Sequence, residues 1–291
     1  MKKPAPMHWF GGKAQLTKKL LPLIPYKQLY CEPFFGAGSI FWNRKPSPIE
    51  VVNDLNGDLI NLMRAIQDPA RFKRLRRRLA ATLYSLDEFR KALDTLANET
   101  DEDERAWAFY TTQNHGFSGD AKTEGQWSRS VTCSRRGMAA AVSRWWTRFD
   151  AFPEWHKRIA RAQIDNRDAL EVIRYWDGPD AVFYLDPPYV SDTRITTKAY
   201  THEMNYTQHE DLVRVILSCE GAVILSGYDT PLYTPLEDAG WAHDEFQTTC
   251  HAAGRVRGSS VIGKGNAPPR TEVVWRNPTA CKETTNKGFF S

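Results

Sequence analysis

No run of apolar residues in this 291-residue chain is long enough to cross a bilayer. The N-terminal stretch MKKPAPMHWFGGK has the charges of a secretory leader but no apolar segment behind them. Membrane and secreted classes are therefore disfavoured, and a cytoplasmic protein is expected. Cysteine is sparse: Cys31, Cys133, Cys219, Cys250 and Cys281 are scattered and odd in number. No pair has metal-ligand spacing, which argues against a disulfide framework and a zinc module. Free thiols in a reducing compartment, and no metal, are expected. Internal repeats and low-complexity tracts are absent, so a solenoid is excluded. Neither sign of charge dominates, with 39 basic and 35 acidic residues. The small excess weakly favours a polyanionic partner.

What is present reads as alternating strands and helices. QLYCEP (28–33), IEVVND (49–54), QIDNRD, AVFYL (181–185) and GAVILSGYD carry short apolar runs. HEDLVRVILSC has the period of an amphipathic helix. WAHDEFQTTCHA and RTEVVW are late strands joined by a basic loop. Such alternation predicts a mostly parallel sheet covered on both faces. From Asp58 to about Phe149 the pattern is helical and charged, too long for a simple crossover. It is expected to be an insertion, with the catalytic part in 1–57 and 160–291 and the inserted part in 58–159.

Four stretches carry chemistry. In FFGAGS (34–39), Gly36 and Gly38 follow a strand and allow a tight bend close to a ligand. The third glycine of a dinucleotide fingerprint is missing, because Phe41 stands there, and a nicotinamide cofactor is disfavoured. Asp54 ends the next strand, where an acid can accept hydrogen bonds from ribose hydroxyls. In HWFGGK (8–13), Lys13 can meet a carboxylate and Trp9 can cover a purine or a cation. In DPPY, the prolines fix the backbone at the carboxyl end of a strand, so Asp186 and the Pro187 carbonyl are preorganised acceptors. Two acceptors match the two hydrogens of an exocyclic amino group, and the Tyr189 ring offers a face to stack on. Each stretch alone also fits an ordinary turn, a solvated acid or a loose terminus.

Taken together and in this order, WFGGK, EPFFGAGS, VVNDLN and FYLDPPY resemble the Dam-type DNA adenine methyltransferases. The resemblance covers most of the chain and weakens from about Leu75 to Arg161. It implies a class I methyltransferase fold, Rossmann-like, with a mostly parallel seven-stranded sheet and an inserted, mostly helical DNA-recognition domain. It also implies S-adenosyl-L-methionine as methyl donor and a flipped adenine in double-stranded DNA as acceptor. By the same resemblance Trp9, Lys13, Asp54 and Asp186 lie at the cofactor, Phe34, Gly36 and Gly38 form its loop, and Asp168 in NRDAL matches the acid that contacts its adenine. Asp186, Pro187 and Tyr189 are the catalytic set. The Tyr189 ring is expected to matter and its hydroxyl to be dispensable.

For DNA contact, Arg129 to Arg161 contains eight basic residues against two acids, interleaved with Trp127, Trp145, Trp146 and Trp155. Arg129, Arg135 and Arg136 are candidates there. Arg255, Arg257 and Lys264 are candidates in the basic loop 254–270. The basic run Arg74–Arg78 reads better as a solvated helical face. GFSGDAKTEGQWSRSVTCSRRG departs from the region with which GATC-specific members read their site, so the target sequence stays open. A monomer is expected, with a dimer possible. N4-cytosine methylation, glutamine methylation in proteins and a non-catalytic nucleic-acid-binding protein on the same scaffold remain alternatives. A generic nucleotide-binding α/β protein is disfavoured, because the chain lacks a phosphate-binding lysine motif.

Overall fold

The computed structural model describes residues 5–7, 9, 12–117, 121–189, 204–249 and 269–285. A short helix, α1 (Thr17–Leu20), precedes β1 (Leu29–Glu32) and β2 (Ile49–Asn53). Helices α2 (Gly57–Gln67), α3 (Pro69–Ala80), α4 (Leu86–Asn98), α5 (Glu102–His115) and α6 (Ala140–Ile159) follow. A small hairpin, β3 (Ser134–Arg135) and β4 (Met138–Ala139), precedes α6. The chain then runs β5 (Gln163–Asp165), α7 (Ala169–Trp176), β6 (Ala181–Leu185), α8 (Tyr206–Leu217) and β7 (Ala222–Gly227). It ends in α9 (Thr234–Asp238), β8 (Ala242–Thr249), β9 (Pro269–Arg276) and α10 (Pro278–Thr285).

Seven strands form one sheet in the order β5-β2-β1-β6-β7-β9-β8. The five from β5 to β7 are parallel, and β9 runs antiparallel to both β7 and β8. Every residue of β6 and β7 is buried, as expected of parallel strands covered on both faces. The period of two sorts their side chains between two cores. Tyr30, Val52, Val182, Tyr184 and Ile224 pack with the long helical block. Cys31, Val51, Phe183, Leu185 and Val223 pack with α7, α8 and α9.

The helical block has no core separate from the sheet. Leu59, Trp107, Tyr110, Trp145, Phe152 and Trp155 belong to the same cluster as Tyr30 and Val182. Helix α5 is buried from Ala106 to His115, so it runs through the middle of the block. Its start is acidic for a reason visible in three dimensions. Asp101 caps it by accepting from the Asp103 and Glu104 amides, while Asp103 accepts from Arg71 and Arg74, each at 2.6 Å. Arg78 lies over the Trp107 ring, 4.0 Å from its centroid. Arg74 and Arg78 of the basic run on α3 thus face the acids of the first turn of α5, while Arg76 and Arg77 are exposed.

Two expectations for this region are corrected. Trp145 and Trp155 are core residues, each 1% exposed, and are unavailable for DNA contact. Two members of the basic group are also engaged within the protein, Arg158 buried and Arg148 half-buried. Arg158 is ion-paired with Glu50, and Arg148 donates to Asn114 Oδ1 at 2.7 Å. Burial pushes the Arg148 guanidinium down to about 10.

Candidate active site

The strand order reverses between β1 and β6. From β1 the chain builds outward through β2 to β5, then returns to lay β6 on the other side of β1. Open α/β sheets place ligands at the carboxyl ends of the strands flanking such a switch. A cavity of about 710 Å³ lies here, lined by the loops after β1, β2, β5 and β6 and, at its rim, by α2 and α5. That volume is typical of small-molecule sites.

The loop after β1 is held open by two glycines in the left-handed region, with φ +48° at Gly36 and +64° at Gly38. A Cβ on Gly36 would come within 2.7 Å of Trp9 Nε1. One on Gly38 would come within 2.4 Å of the Phe35 ring. The loop therefore needs glycine for space as well as for φ. Asp54 fastens it by accepting from the Gly36 amide at 2.8 Å and from the Asn56 amide at 2.9 Å. Asn53 joins three strand ends, donating to the carbonyls of Pro33 and Arg167 and accepting from the Arg167 amide. Asp168 caps α7 through the Leu170 amide and uses one oxygen for that bond. Trp9, Lys13, Phe34, Gly36, Gly38, Asp54, Asp168 and Asp186 all line the one cavity.

At the end of β6, Asp186 lines the cavity with 22% of its side chain exposed, and Lys13 donates to its Oδ1 at 2.6 Å. Burial pushes the Asp186 carboxyl up to about 6; Lys13 opposes that rise and Glu272 adds to it. Burial works against the Lys13 ammonium, but Asp186, Tyr189 and Glu272 outweigh it and keep the group protonated. Pro188 lines the cavity and Pro187 is buried.

Tyr189 departs from expectation. Its ring is 9% exposed and stacks on Tyr228, with centroids 4.2 Å apart. Its hydroxyl is engaged, hydrogen-bonded to Lys13 and donating to Glu272 at 3.0–3.1 Å. The view of that hydroxyl as dispensable does not fit a buried group bonded on both sides.

Three contributors escaped the sequence reading. Asn53 sits inside VVND, where an uncharged amide beside an acid carries no signal of its own. Glu272 on β9 is 3% exposed, and its only sequence signal is an acid within an apolar strand. Glu32 ends β1 beneath the glycine loop. Burial pushes its carboxyl up to about 8 against the opposing bond from Tyr30 and the charge of Arg44.

Among the DNA candidates, Arg129, Arg135 and Arg136 are exposed. The latter two belong to the β3–β4 hairpin, whose two-residue turn has φ +55° at Arg136 and +74° at Gly137. Arg136 is tied back to α6 through Thr147 Oγ1 at 2.9 Å. His8, Arg255, Arg257 and Lys264 lie outside the described residues. Among those described, no group of histidine, cysteine and carboxylate side chains could hold a metal ion, and no helix is long and apolar enough to cross a membrane.

A sheet with this order, a glycine loop after β1 and acids at successive strand ends define a class I methyltransferase fold. The D12 class N6 adenine-specific DNA methyltransferase pattern matches residues 9–243, and the chain belongs to that family. It is an adenine-specific DNA methyltransferase. The Type II methyltransferase M1.LlaDCHI of Lactococcus lactis subsp. cremoris is 28% identical over 282 residues, covering 92% of this chain and 93% of the relative. A DNA adenine methylase of Serratia marcescens is 26% identical over 236 residues, covering 78% of this chain and 84% of the relative. A DNA adenine methylase of Salmonella typhi is also 26% identical, over 245 residues.

Proposed function

We propose that the cavity binds S-adenosyl-L-methionine and that Asp186 and the Pro187 carbonyl receive the amino group of an adenine flipped out of double-stranded DNA. The observation that carries this reading is the Lys13-held Asp186 carboxylate, placed at the end of β6 in the same cavity as the Gly36–Gly38 loop. The donor set suits the cofactor. A carboxylate at Asp54 serves ribose hydroxyls, Asp168 lines the same cavity, and acids favour a cationic ligand. When bound, the cofactor supplies an activated methyl on a sulfonium.

The chain's own residues supply position and charge. Adenine's amino nitrogen is a poor nucleophile because its lone pair is delocalised into the ring. Asp186 and the Pro187 carbonyl hold its two hydrogens, favour a pyramidal nitrogen and direct its lone pair along one line. As positive charge grows on that nitrogen, the Asp186 carboxylate is placed to accept a proton. Extruding the base costs a few kcal/mol of stacking and pairing. The Tyr189 ring at the end of DPPY, stacked on Tyr228, is the proposed platform that offsets part of that cost.

Labelled methyl transfer to duplex DNA, followed by nucleoside analysis, tests the reading. Label should appear in N6-methyladenine and be absent from RNA and protein. The same assay gives a pH prediction. Asp186 is a charged acceptor, able to take up a proton, only when ionised, so the single-turnover rate should rise with pH through about 6 and level off above it. A profile flat from pH 5 to 8 would remove Asp186 from the role.

The block 58–159 is the proposed target-recognition part, with Arg129, Arg135 and Arg136 as phosphate or base contacts. Arg255, Arg257 and Lys264 extend the set, and the protein acts as a monomer. If about four to six cations meet phosphates, log affinity against log salt should have a slope of roughly −4 to −5. Affinity that hardly changes between low and high salt would show the basic surface to be merely solvated.

A further inference from the structure

Glu272 is a carboxylate on β9 with 3% of its surface exposed. Burying such a group is costly unless its oxygens are fully used. Ser226 Oγ donates to Oε1 at 2.7 Å, and the Tyr189 hydroxyl lies 3.0–3.1 Å from both oxygens. The Lys13 ammonium is 3.2 Å from Oε1. Of these partners only Ser226 lies outside the DPPY–Lys13 group. The other two are the groups that flank Asp186: Lys13 donates to Asp186 and is also bonded to the Tyr189 hydroxyl.

One ammonium is therefore shared between two carboxylates, and a tyrosine hydroxyl closes the ring. The hydroxyl has one proton. Donating it to Glu272 leaves an oxygen lone pair for a proton from Lys13. Lys13 then donates to Asp186 and Tyr189 with the Glu272 carboxylate beside it at 3.2 Å, so turning the ammonium breaks a bond. Without Glu272 the Tyr189 hydroxyl loses this acceptor and Lys13 loses one of its two carboxylate partners.

We infer that Glu272 is a positioning residue of the methyl-transfer site, which through Lys13 and Tyr189 fixes where the Asp186 carboxylate points. The inference rests on the reading of Asp186 as the acceptor of the adenine amino group. Glu272 does not line the cavity and so touches neither substrate nor cofactor. It acts from the antiparallel strand beside β7, which no motif of the parallel half includes.

A purely structural acid would leave the titration of Asp186 alone; this one would not. The groups facing Asp186 are Lys13 from the N-terminal segment, Tyr184 from β6, Tyr189, Tyr233 and Glu272 from β9. Burial pushes the hydroxyls of Tyr184 and Tyr233 well above the ordinary range, so they stay neutral. Lys13 and Glu272 are then the charges that act on Asp186. Removing the Glu272 charge takes away a repulsion and leaves Lys13 to Asp186 alone. Both effects lower the pH at which Asp186 ionises.

The test uses the full chain and four variants. Glu272→Gln should lower the single-turnover rate about tenfold on the alkaline plateau, with KM for DNA unchanged. Its acid limb should move down by roughly half a unit to one unit. Glu272→Asp keeps the charge but not the reach, so the rate should fall with the limb in place. Tyr189→Phe removes the bridging hydroxyl and should also slow the reaction several-fold without moving the limb. Carbon-13 titration of the Asp186 carboxyl in the cofactor-free protein should shift with Glu272→Gln as the limb does.

Asp186→Asn separates the two readings. If it retains the wild-type rate, the acceptor assignment and the inference both fall. If it is inactive while Glu272→Gln keeps the wild-type rate and limb, only the inference falls. Should Glu272→Gln fail to fold, Tyr189→Phe and Glu272→Asp decide: wild-type rates in both overturn the positioning role.

Discussion

Asp186→Ala is expected to lower the single-turnover rate of DNA methylation by at least about 100-fold while the protein stays folded. The substitution removes the charged acceptor proposed to hold the amino group whose nitrogen gains positive charge. Losing one preorganised group of this kind typically costs about 100- to 1,000-fold. Loss of the fold is not expected, and the reason is local. Lys13 remains bonded to Tyr189 and stays 3.2 Å from Glu272, so the buried ammonium keeps a carboxylate partner. The melting temperature should thus fall by only a few degrees. Cofactor affinity by calorimetry should change far less than the rate, because Gly36, Asp54 and Asp168 are untouched. A variant that methylates DNA at near the wild-type rate would end the catalytic assignment.

The second large effect is on stability and comes from a residue far from the chemistry. Arg158 near the end of α6 is paired with both oxygens of Glu50 on β2 and donates to the Phe41 carbonyl at 3.1 Å. Its guanidinium also lies over the Phe41 ring, 3.7 Å from the centroid. It joins the helical block to the sheet and to the segment after the glycine loop. Glu50 has no exposed side-chain surface, so Arg158→Ala leaves a buried carboxylate with Arg44 and the Ser47 amide as partners. Breaking such a pair costs about 3–5 kcal/mol. Arg44 keeps the expected value near the lower end. At roughly 2–4 °C per kcal/mol, the melting temperature should drop by on the order of 10 °C. Replacing both partners, as in Glu50→Gln with Arg158→Met, should recover only part of that loss, because the Arg44 guanidinium, with 6% of its side chain exposed, then lacks its Glu50 carboxylate. A single variant that melts like the wild type would show that the pair contributes nothing net.

These two residues also mark what was and was not readable. Asp186 was legible because its neighbours are local in sequence. A buried strand, two prolines that fix the backbone and a tyrosine all lie within ten residues, and the strand's end is where such sheets bind ligands. Gly36, Gly38 and Asp54 were legible for the same reason: each sits at a fixed offset from a strand that hydrophobicity alone reveals. Arg158 was counted among surface cations, since nothing local distinguishes it from Arg161. Its partner lies 108 positions away. The tryptophans behaved alike. Trp145 and Trp155 alternate with basic residues in sequence, yet helix periodicity turns them into the core and leaves Trp146 at 37% exposure on the surface.

The sequence by itself determined the strand-and-helix alternation, the glycine loop, the acids at the strand ends and the rigid DPPY turn. Each of these follows from short-range rules: the period of apolar residues, the φ that glycine allows and proline fixes, and the position of an acid at a strand's carboxyl end. Only the tertiary structure decided that the helical block shares the sheet's core. It alone decided that the α3 cations face the α5 acids, that the Tyr189 hydroxyl is engaged, and that Glu272 joins Lys13 beside Asp186. Those outcomes depend on which distant groups burial forces together. A buried charge must find a partner wherever the fold supplies one, and sequence distance says nothing about where that is.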